Sequence, residues 1–467
     1  MTIAVAIPKR DLRRLFASAF VAAVALTVLA YGSASTIQTN LAALAFAILA
    51  ASAIVWPAGA PSVARVQAMA ALLVAALLGY AFLQTLPLPG LANPAWKSAA
   101  GALGPVAGAI SVAPGMTLDA LTALALPFLA FIAALSLFQG DDEALLLWRA
   151  LAYFGAGYAA FGVAQDVFLP EQILFEPKRF YVGALTASFI NRNTAGTFFG
   201  LAFLLNLGLV FFQLRKIHLR SLMTKAASFN LGWRNKHGHL AVHVLLSGMT
   251  AVALFLTQSR GAAGATFVAA ILAAVLMLMR KLTADKESEA PQPWRRYAVV
   301  AGGLIAAIGF FALFAGRSTY RMAEEGGDAG RWCAYGSTID AIRDNWLLGT
   351  GFGAFQDVFP VYRDSDCTGI FGVWERAHDV FLEGYLGLGA AFALALAIGY
   401  VVLIAAFVRG LARRRRYRFV PAMGLCALAL VSLHSIVDFS LQIPGFAVYF
   451  AAVMAAAVTV SLGRGAE

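Results

Sequence analysis

The stretch VFLEGYLGLGAAFALALAIGYVVLIAAFV, residues 380–408, carries one charged side chain, that of Glu383. A run of roughly 20 apolar residues is long enough to cross the hydrocarbon core of a bilayer as an α-helix. Such runs recur along the 467-residue chain, in which 61% of the residues are hydrophobic and 13% are charged. Soluble domains are about one quarter charged. The sequence therefore predicts an all-α, polytopic membrane protein and excludes a soluble fold.

About twelve membrane-spanning helices are predicted on this criterion. They cover residues 15–31, 41–57, 66–86, 118–138, 145–165, 188–213, 240–257, 262–280, 297–315, 380–408, 419–437 and 445–462. We expect the first run to be retained rather than cleaved as a signal peptide, because it continues to about Ala30 without a convincing cleavage site. All of the spans are expected to belong to one integral membrane domain, residues 1–467.

The basic residues predict the orientation of these spans. An excess of lysine and arginine follows even-numbered spans, in residues 215–239, 280–296 and 409–418. Because cytoplasmic connections carry this excess, both termini are expected in the cytoplasm. The basic residues behind the net charge of +11 are therefore interpreted as topology anchors, with binding of anionic lipids as the lesser alternative. No nucleic-acid partner is expected.

The opposite side of the membrane receives the longer connections, residues 87–117, 166–187 and 316–379. In a bacterial inner membrane that side is the periplasm. The largest of the three lies between the ninth and tenth spans, and its apolar side chains recur at helical spacing. These are Trp332, Tyr335, Ile339, Ile342 and Trp346. The spacing predicts an amphipathic helix on the membrane surface within this large periplasmic loop.

The three cysteines, Cys333, Cys367 and Cys426, form neither a zinc-binding pattern nor a CxxC pair. Cys333 and Cys367 share the large loop, where an oxidising compartment would permit a disulfide. The sequence leaves open whether these two residues meet.

Arginine side chains cluster on the periplasmic side. Arg260 lies in the turn TQSRG, and Arg331 opens the segment GRWCAYGSTIDAIRDN. The same loop also holds Arg317, Arg321, Arg343, Arg363 and Arg376. Each arginine alone could snorkel to the interface or pair with a nearby acid. As a set they offer permanently charged, forked donors for phosphate oxygens, as a lipid-linked pyrophosphate requires.

Two histidines lie toward the same side. His378 ends the large loop and opens a span, where an imidazole meets both water and a membrane-bound substrate. It would take a proton from a hydroxyl group, or alternatively it caps the helix that follows. His434 and Asp438 form an i,i+4 pair near the end of their span, where packing or support of the site is favoured over catalysis.

Other motifs carry weaker signals. In the segment NRN, Asn191 is a candidate helix cap, and Arg192 is either a phosphate ligand or a snorkelling side chain. Gly196 and Gly200 are typical of helix packing positions. The tripeptide DSD at 364–366 has a metal-binding DxD form that is common by chance. The chain has no GxxxxGK[ST], HExxH or GxSxG motif.

Together these motifs resemble the O-antigen ligase family, which includes related polysaccharide polymerases. The matching pieces are SFINRNTAGTFFGL, TQSRG, GRWCAYGSTIDAIRDNWLLGTGFGAF, ERAHDVFLEGYLGLG and HSIVDFSLQIPG. Their order and their common membrane face carry the resemblance, which covers approximately residues 180–450. The family commonly has His-Asn or His-Ser where this chain has His378-Asp379.

The resemblance implies a bacterial inner-membrane glycosyltransferase that takes a glycan from undecaprenyl pyrophosphate in the periplasmic leaflet. Ligases move the glycan to lipid A core, and polymerases move a growing chain onto another lipid-linked repeat. The family's two essential arginines and one histidine fall here on Arg260, Arg331 and His378. Both arginines would neutralise the leaving phosphate and His378 would act as general base, with inversion at the anomeric carbon. No metal and no cofactor are expected.

Further residues are expected to bind the substrate or to support the catalytic ones. The expected substrate-binding residues are Arg192, Asn193, Arg321 and Arg376, and the expected supporting residues are His434 and Asp438.

Two other classes of protein compete with the enzyme. A transporter of the lipid-linked glycan would place polar groups near the bilayer midplane, whereas this chain keeps its charges at the ends of spans. A noncatalytic scaffold would not account for the arginines and the histidine. Within the enzyme class, twelve spans and one dominant late loop favour a ligase, and an O-antigen or exopolysaccharide polymerase is the alternative.

Overall fold

The computed structural model describes residues 9–104, 106–214, 231–284, 327–363 and 372–463. In chain order its helices are α1 (Lys9–Leu29), α2 (Thr36–Val55), α3 (Pro61–Leu83), α4 (Ala95–Leu103), α5 (Pro114–Leu137), α6 (Asp141–Phe168), α7 (Arg192–Leu214), α8 (Leu231–Leu256), α9 (Arg260–Ala284), α10 (Gly327–Asn345), α11 (Phe355–Tyr362), α12 (Val380–Leu388), α13 (Ala390–Arg413), α14 (Phe419–Ser435) and α15 (Pro444–Leu462). A short hairpin of β1 (Gln172–Ile173) and β2 (Glu176–Pro177) connects α6 to α7. The predicted all-α class is confirmed.

Within these ranges ten helices are long and apolar enough to cross a membrane. They are α1, α2, α3, α5, α6, α7, α8, α9, α13 and α15. Helix α14 is a shorter apolar helix at the position of the eleventh predicted span. The ninth predicted span, residues 297–315, lies outside the described residues.

The predicted span at 380–408 is wrong in its first part, because the chain breaks at Gly389. Gly389 has a φ of 58°, in the left-handed region that ends helices. The amide of Ala390 donates to the carbonyl of Leu347 at 3.1 Å, and the amide of Thr350 donates to the carbonyl of Leu386 at 2.8 Å. The glycine-rich segment after α10 thus pairs with the backbone at the break. Helix α13 is the actual span, and α12 belongs with the large loop.

Helices α7 and α15 form the centre of the bundle, since most residues of α7 and nearly all residues of α15 are buried. Helix α7 packs against α6, α8, α9 and α14, and α15 packs against α1, α5, α6 and α13. Glycines allow the closest approaches. A methyl group at Gly196 would lie 2.9 Å from the Cβ of Ala262, and one at Gly200 would overlap the hydroxyl of Thr266. The predicted packing role of both glycines is confirmed.

Ion pairs tie the helix ends together at one end of the bundle. Arg13 bonds Glu143 at 2.6 Å, and Arg414 bonds Asp141 at 2.7 Å. The turns that carry the sequence motifs lie at the other end, which we call the site face. It comprises residues 30–35, 84–104, 106–113, 169–191, 257–259, 327–363, 372–389 and 436–443.

Helix α10 confirms the helix predicted in the large loop, and its inward side consists of small residues. Ala334, Ser337 and Ala341 are buried against α11 and α12, whereas Trp332 and Trp346 are exposed. Tyr335 and Ile342 are partly buried on the protein, and contact of the exposed Trp332, Ile339 and Trp346 with a membrane surface stays a prediction.

The cysteines divide into two kinds. Cys333, on α10, is disulfide-bonded, whereas Cys426 is buried in α14 as a free thiol. Cys367 lies outside the described residues.

Replacing Gly389 should destabilise the protein. Alanine at position 389 would be strained by the positive φ of the backbone, and its methyl group would clash with the carbonyl of Leu347. The strain costs about 1–3 kcal/mol. We expect the melting temperature of the detergent-purified protein to fall by several degrees. Gly399→Ala is the matched control, because a methyl group there meets nothing within 4 Å inside helix α13. Equal melting temperatures for the two variants would contradict the assigned break.

Candidate functional site

A chain of hydrogen bonds joins three helix ends at the site face. The hydroxyl of Ser259 donates to Asn193 Oδ1 at 2.8 Å, and Asn193 Nδ2 donates to Asp438 Oδ1 at 2.9 Å. Ser259 precedes α9, Asn193 lies in the first turn of α7, and Asp438 follows α14. The motifs TQSRG, SFINRN and HSIVDFS, which are far apart in sequence, therefore meet at one carboxylate.

A second set of bonds closes this network. Thr197 Oγ1 lies 2.6 Å from His434 Nδ1 and 3.1 Å from Ser440 Oγ, and the Ser440 hydroxyl donates to Asp438 Oδ2. Both oxygens of the Asp438 carboxylate thus accept a hydrogen bond, as a buried acid requires.

His434 is held in place by its neighbours. A methyl group at Gly261 would lie 3.0 Å from His434 Nε2, so only glycine fits at that position of α9 without displacing the ring. Since His434 is buried and its other nitrogen contacts Thr197, the arrangement suits the supporting role predicted for it.

Two arginines begin the helices that the network joins. Arg260 is the first residue of α9, and its side chain is exposed beside Gly261. Arg192 is the first residue of α7, and its guanidinium lies over the ring of Tyr181 at 5.2 Å from the centroid. Arg192 Nε is buried and has no hydrogen-bond partner among the described residues.

Tyr181 shows which charges meet here. Burial raises the pKa of its hydroxyl, the Asp438 carboxylate raises it further, and the guanidinium groups of Arg192 and Arg331 lower it. Tyr181 is therefore surrounded by three charged residues. They are carried by α7, by α10 and by the segment after α14. Tyr181 also has a φ of 56°, which is uncommon for a non-glycine residue.

His378 occupies an aromatic slot at the start of α12. Its ring packs edge-on against Trp374 and Phe439, with centroids 5.3 Å and 4.9 Å away. Its φ is 57°, and its carbonyl accepts a hydrogen bond from Tyr335 Oη at 3.1 Å. Within the described part of the chain, His378 Nδ1 is buried without a partner.

The surroundings of His378 keep its ring neutral. Burial lowers its pKa from 6.5 to about 4, the positive charge of Arg331 acts in the same direction, and the carboxylate of Asp438 opposes them. At neutral pH the imidazole is therefore uncharged and can accept a proton.

The helix cap of α12 belongs to the next residue. Asp379 Oδ1 accepts hydrogen bonds from the amides of Phe381 at 2.8 Å and Leu382 at 3.0 Å. The capping alternative considered for His378 is therefore wrong, because Asp379 supplies the cap. Aspartate, asparagine and serine are the preferred capping residues, so a His-Asp pair can do here what His-Asn or His-Ser does.

The remaining predicted residues are less central. Arg376 Nη1 bonds Glu383 Oε1 at 3.1 Å, while Glu383 Oε2 accepts from the Ala377 amide at 2.8 Å. This pair braces the segment before His378, and binding of substrate by Arg376 stays a prediction. Arg321 and the DSD tripeptide lie outside the described residues. In the described ranges, no group of three or more histidine, cysteine or acidic residues is placed to hold a metal ion.

Sequence reasoning did not single out several members of the site. Ser259, Thr197 and Phe439 lie inside motifs that were recognised, whereas Tyr181 and Trp374 give no signal of their own in the sequence. Their roles depend on contacts with residues distant in the chain.

The fold and this site define a class of protein: a multi-span membrane protein with a charged, partly buried polar centre at one end of its bundle. Residues 244–397 match the model of a protein family described as O-antigen ligase. The matched segment contains Arg260, Arg331 and His378, and it confirms the resemblance to that family. The match covers about one third of the chain and supports a membrane enzyme similar to the O-antigen ligases. No curated protein matches the chain.

The hydrogen-bond chain gives a direct prediction. Asn193→Ala leaves Ser259 and Asp438 without their shared partner, which costs about 1–3 kcal/mol for buried groups. We expect a lower melting temperature and reduced glycan transfer. The control is Asn40→Ala, which removes an exposed bond to Thr122 and should change neither quantity. If both variants behave alike, the network does not organise the site.

Proposed function

We propose that this protein is an inverting glycosyltransferase that moves a glycan from undecaprenyl pyrophosphate to lipid A core at the periplasmic face. The observation that carries the proposal is the neutral, buried His378 beside the charge of Arg331, within the segment that matches the family. A neutral base next to a permanent cation suits a reaction that removes a proton while a phosphate departs.

His378 is the proposed general base. The acceptor hydroxyl attacks the anomeric carbon, its proton passes to the imidazole, and the bond from that carbon to the pyrophosphate oxygen breaks. The electron pair of the broken bond leaves with the pyrophosphate. A single displacement of this kind inverts the anomeric configuration. The imidazole is unprotonated at neutral pH because its pKa is lowered to about 4, and the Asp438 carboxylate favours the positive charge that it gains with the proton.

Arg331 and Arg260 are the proposed stabilisers of the leaving pyrophosphate. Guanidinium groups stay charged and bind phosphate oxygens through paired donors, so they neutralise the growing negative charge without a metal ion. Arg192 is proposed as a further phosphate ligand, since it shares the charged surroundings of Tyr181 with Arg331. Asn193, His434 and Asp438 are proposed to hold these groups in position.

The location of the polar groups favours an enzyme over a transporter. Asn193 is the second residue of α7, Ser259 precedes α9, and Asp438 follows α14, so the network lies at helix ends. Transporters of small substrates place their sites on broken helices near the bilayer midplane. The distribution of lysine and arginine further supports cytoplasmic termini and a periplasmic site in a bacterial inner membrane.

A polymerase of the same family remains the second candidate, because both activities use the same donor. We expect the following experiment to separate them. The gene is deleted and replaced by wild type, His378→Ala or His239→Ala, and lipopolysaccharide and lipid-linked glycan are resolved side by side. His239→Ala is the matched control, since this exposed histidine lies on α8 away from the site face.

His378→Ala should fail to complement the deletion, because loss of a general base typically costs about 10²–10⁴ in rate. A bare lipid A core with long glycan on the carrier identifies a ligase. Single repeats on the carrier, without long chains, identify a polymerase. A wild-type pattern with His378→Ala would overturn the assignment of the base.

The pH dependence of transfer provides an independent check. Because the pKa of His378 is lowered to about 4, the base is unprotonated throughout the neutral range and becomes protonated only in acid. Transfer by the purified protein in lipid nanodiscs should therefore be level between about pH 6 and 8 and fall at lower pH. A rate that declines with a midpoint near pH 6.5, the ordinary pKa of histidine, would contradict the lowered pKa of His378.

A further inference from the structure

A cavity of about 220 Å³ opens on the site face, away from His378. Two segments form its walls, residues 91–94 before α4 and residues 344–349, which begin with the last two residues of α10. Arg331 and Asp344 lie 13 positions apart on α10, which corresponds to about 20 Å along the helix axis. The cavity is therefore too distant for one sugar residue to touch both it and the proposed transfer centre.

The lining combines an aromatic surface with hydrogen-bonding groups. Trp346 is 57% exposed, and the adjacent Leu347 is also exposed. The carboxylate of Asp344 accepts a hydrogen bond from Tyr362 Oη at 3.1 Å, and Asn93 Nδ2 donates to Asn345 Oδ1 at 2.9 Å. The carboxylate and the two amides thus stand beside an indole ring.

This chemistry selects the class of ligand. Among the described residues that line the cavity, Asp344 is the one charged side chain, so a phosphate group would meet a negative charge and no cation. A pyranose has an apolar C–H face that packs on an indole and a rim of hydroxyl groups that bond carboxylates and amides. Sites for drug-sized ligands span about 300–1,000 Å³, so this smaller cavity fits one sugar residue.

The floor of the cavity is rigid. Tyr80 Oη and Gln84 Nε2 both donate to the carbonyl of Leu348 at 2.8 Å, and Gln84 Nε2 also donates to the carbonyl of Gly387 at 2.9 Å. Helix α3 therefore fixes the wall segment to the backbone next to α12. A preformed pocket of this kind binds without an ordering cost.

We propose that this cavity is a subsite for one sugar residue of a glycan chain, several residues away from the bond that is made. The proposal rests on the glycosyltransferase function proposed above and adds a sugar-binding position to it. Two sources supply the same chemistry, the glycan of the lipid-linked donor and the oligosaccharide of the acceptor.

The test measures binding by titration calorimetry to the full-length protein in nanodiscs. One probe is the glycan released by mild acid from the lipid-linked pool of the deletion strain, and the other is delipidated core oligosaccharide. We expect one of them to bind, and its identity assigns the subsite to donor or acceptor. Trp346→Ala and Asp344→Asn should each weaken that binding about tenfold or more.

Matched variants keep the result interpretable. Trp346 is largely exposed, so its truncation leaves no buried void, and Trp346→Phe should recover part of the affinity by restoring a ring. Phe175→Ala, at an exposed aromatic residue of the same face, should bind the glycan as wild type does. Binding that survives both Trp346→Ala and Asp344→Asn overturns the subsite, and so does the failure of both probes to bind.

The failure of this proposal is distinguishable from failure of the proposed function. His239→Ala should bind the glycan with unchanged affinity, because this exposed histidine lies on α8 away from the site face. If the protein binds glycan but its deletion leaves lipopolysaccharide and lipid-linked glycan unaltered, the proposed transferase function is wrong and the subsite stands. If transfer requires His378 but Trp346→Ala does not change glycan binding, the subsite alone is wrong.

Discussion

The arrangement of the site face depends on one buried carboxylate. Asp438 lies at the end of α14 with both oxygens engaged, one by the amide of Asn193 and the other by the hydroxyl of Ser440. A carboxylate that is removed from water without such donors is strongly destabilised. Because Asn193 also binds Ser259, satisfying this acid fixes the relative positions of α7, α9 and the segment after α14.

The same carboxylate balances the charges around the candidate site. Arg192 and Arg331 lower the pKa of Tyr181, whereas Asp438 raises it. Arg331 likewise lowers the pKa of His378, and Asp438 raises it. One acid among several arginines reduces their mutual repulsion and leaves a net positive surface, which suits the diphosphate of the proposed donor. The neutral imidazole can accept a proton, as the proposed general base requires and as a charged histidine cannot.

A second constraint places the imidazole itself. The chain breaks at Gly389, and the backbone beyond α10 pairs with residues on either side of the break. Helix α12 is thereby separated from the membrane span and held with α10 on the site face. Asp379 caps α12, which gives His378 a defined position one residue before the cap, between Trp374 and Phe439. Aspartate suits this position because, like asparagine and serine, it is a preferred capping residue.

The sequence by itself determined the all-α membrane class, most of the spans and the resemblance to the O-antigen ligase family, because hydropathy needs only local composition and the motifs keep their order. It also indicated Arg260, Arg331 and His378 as residues of interest. The tertiary structure decided where the long apolar run breaks, since the partners that stabilise the break at Gly389 lie about forty positions earlier in the chain. It likewise decided that Arg376 pairs with Glu383, that α10 packs by its small residues, and that Tyr181 joins the charged cluster. Apolar periodicity records which side chains avoid water, whereas contacts between distant segments determine which polar groups meet.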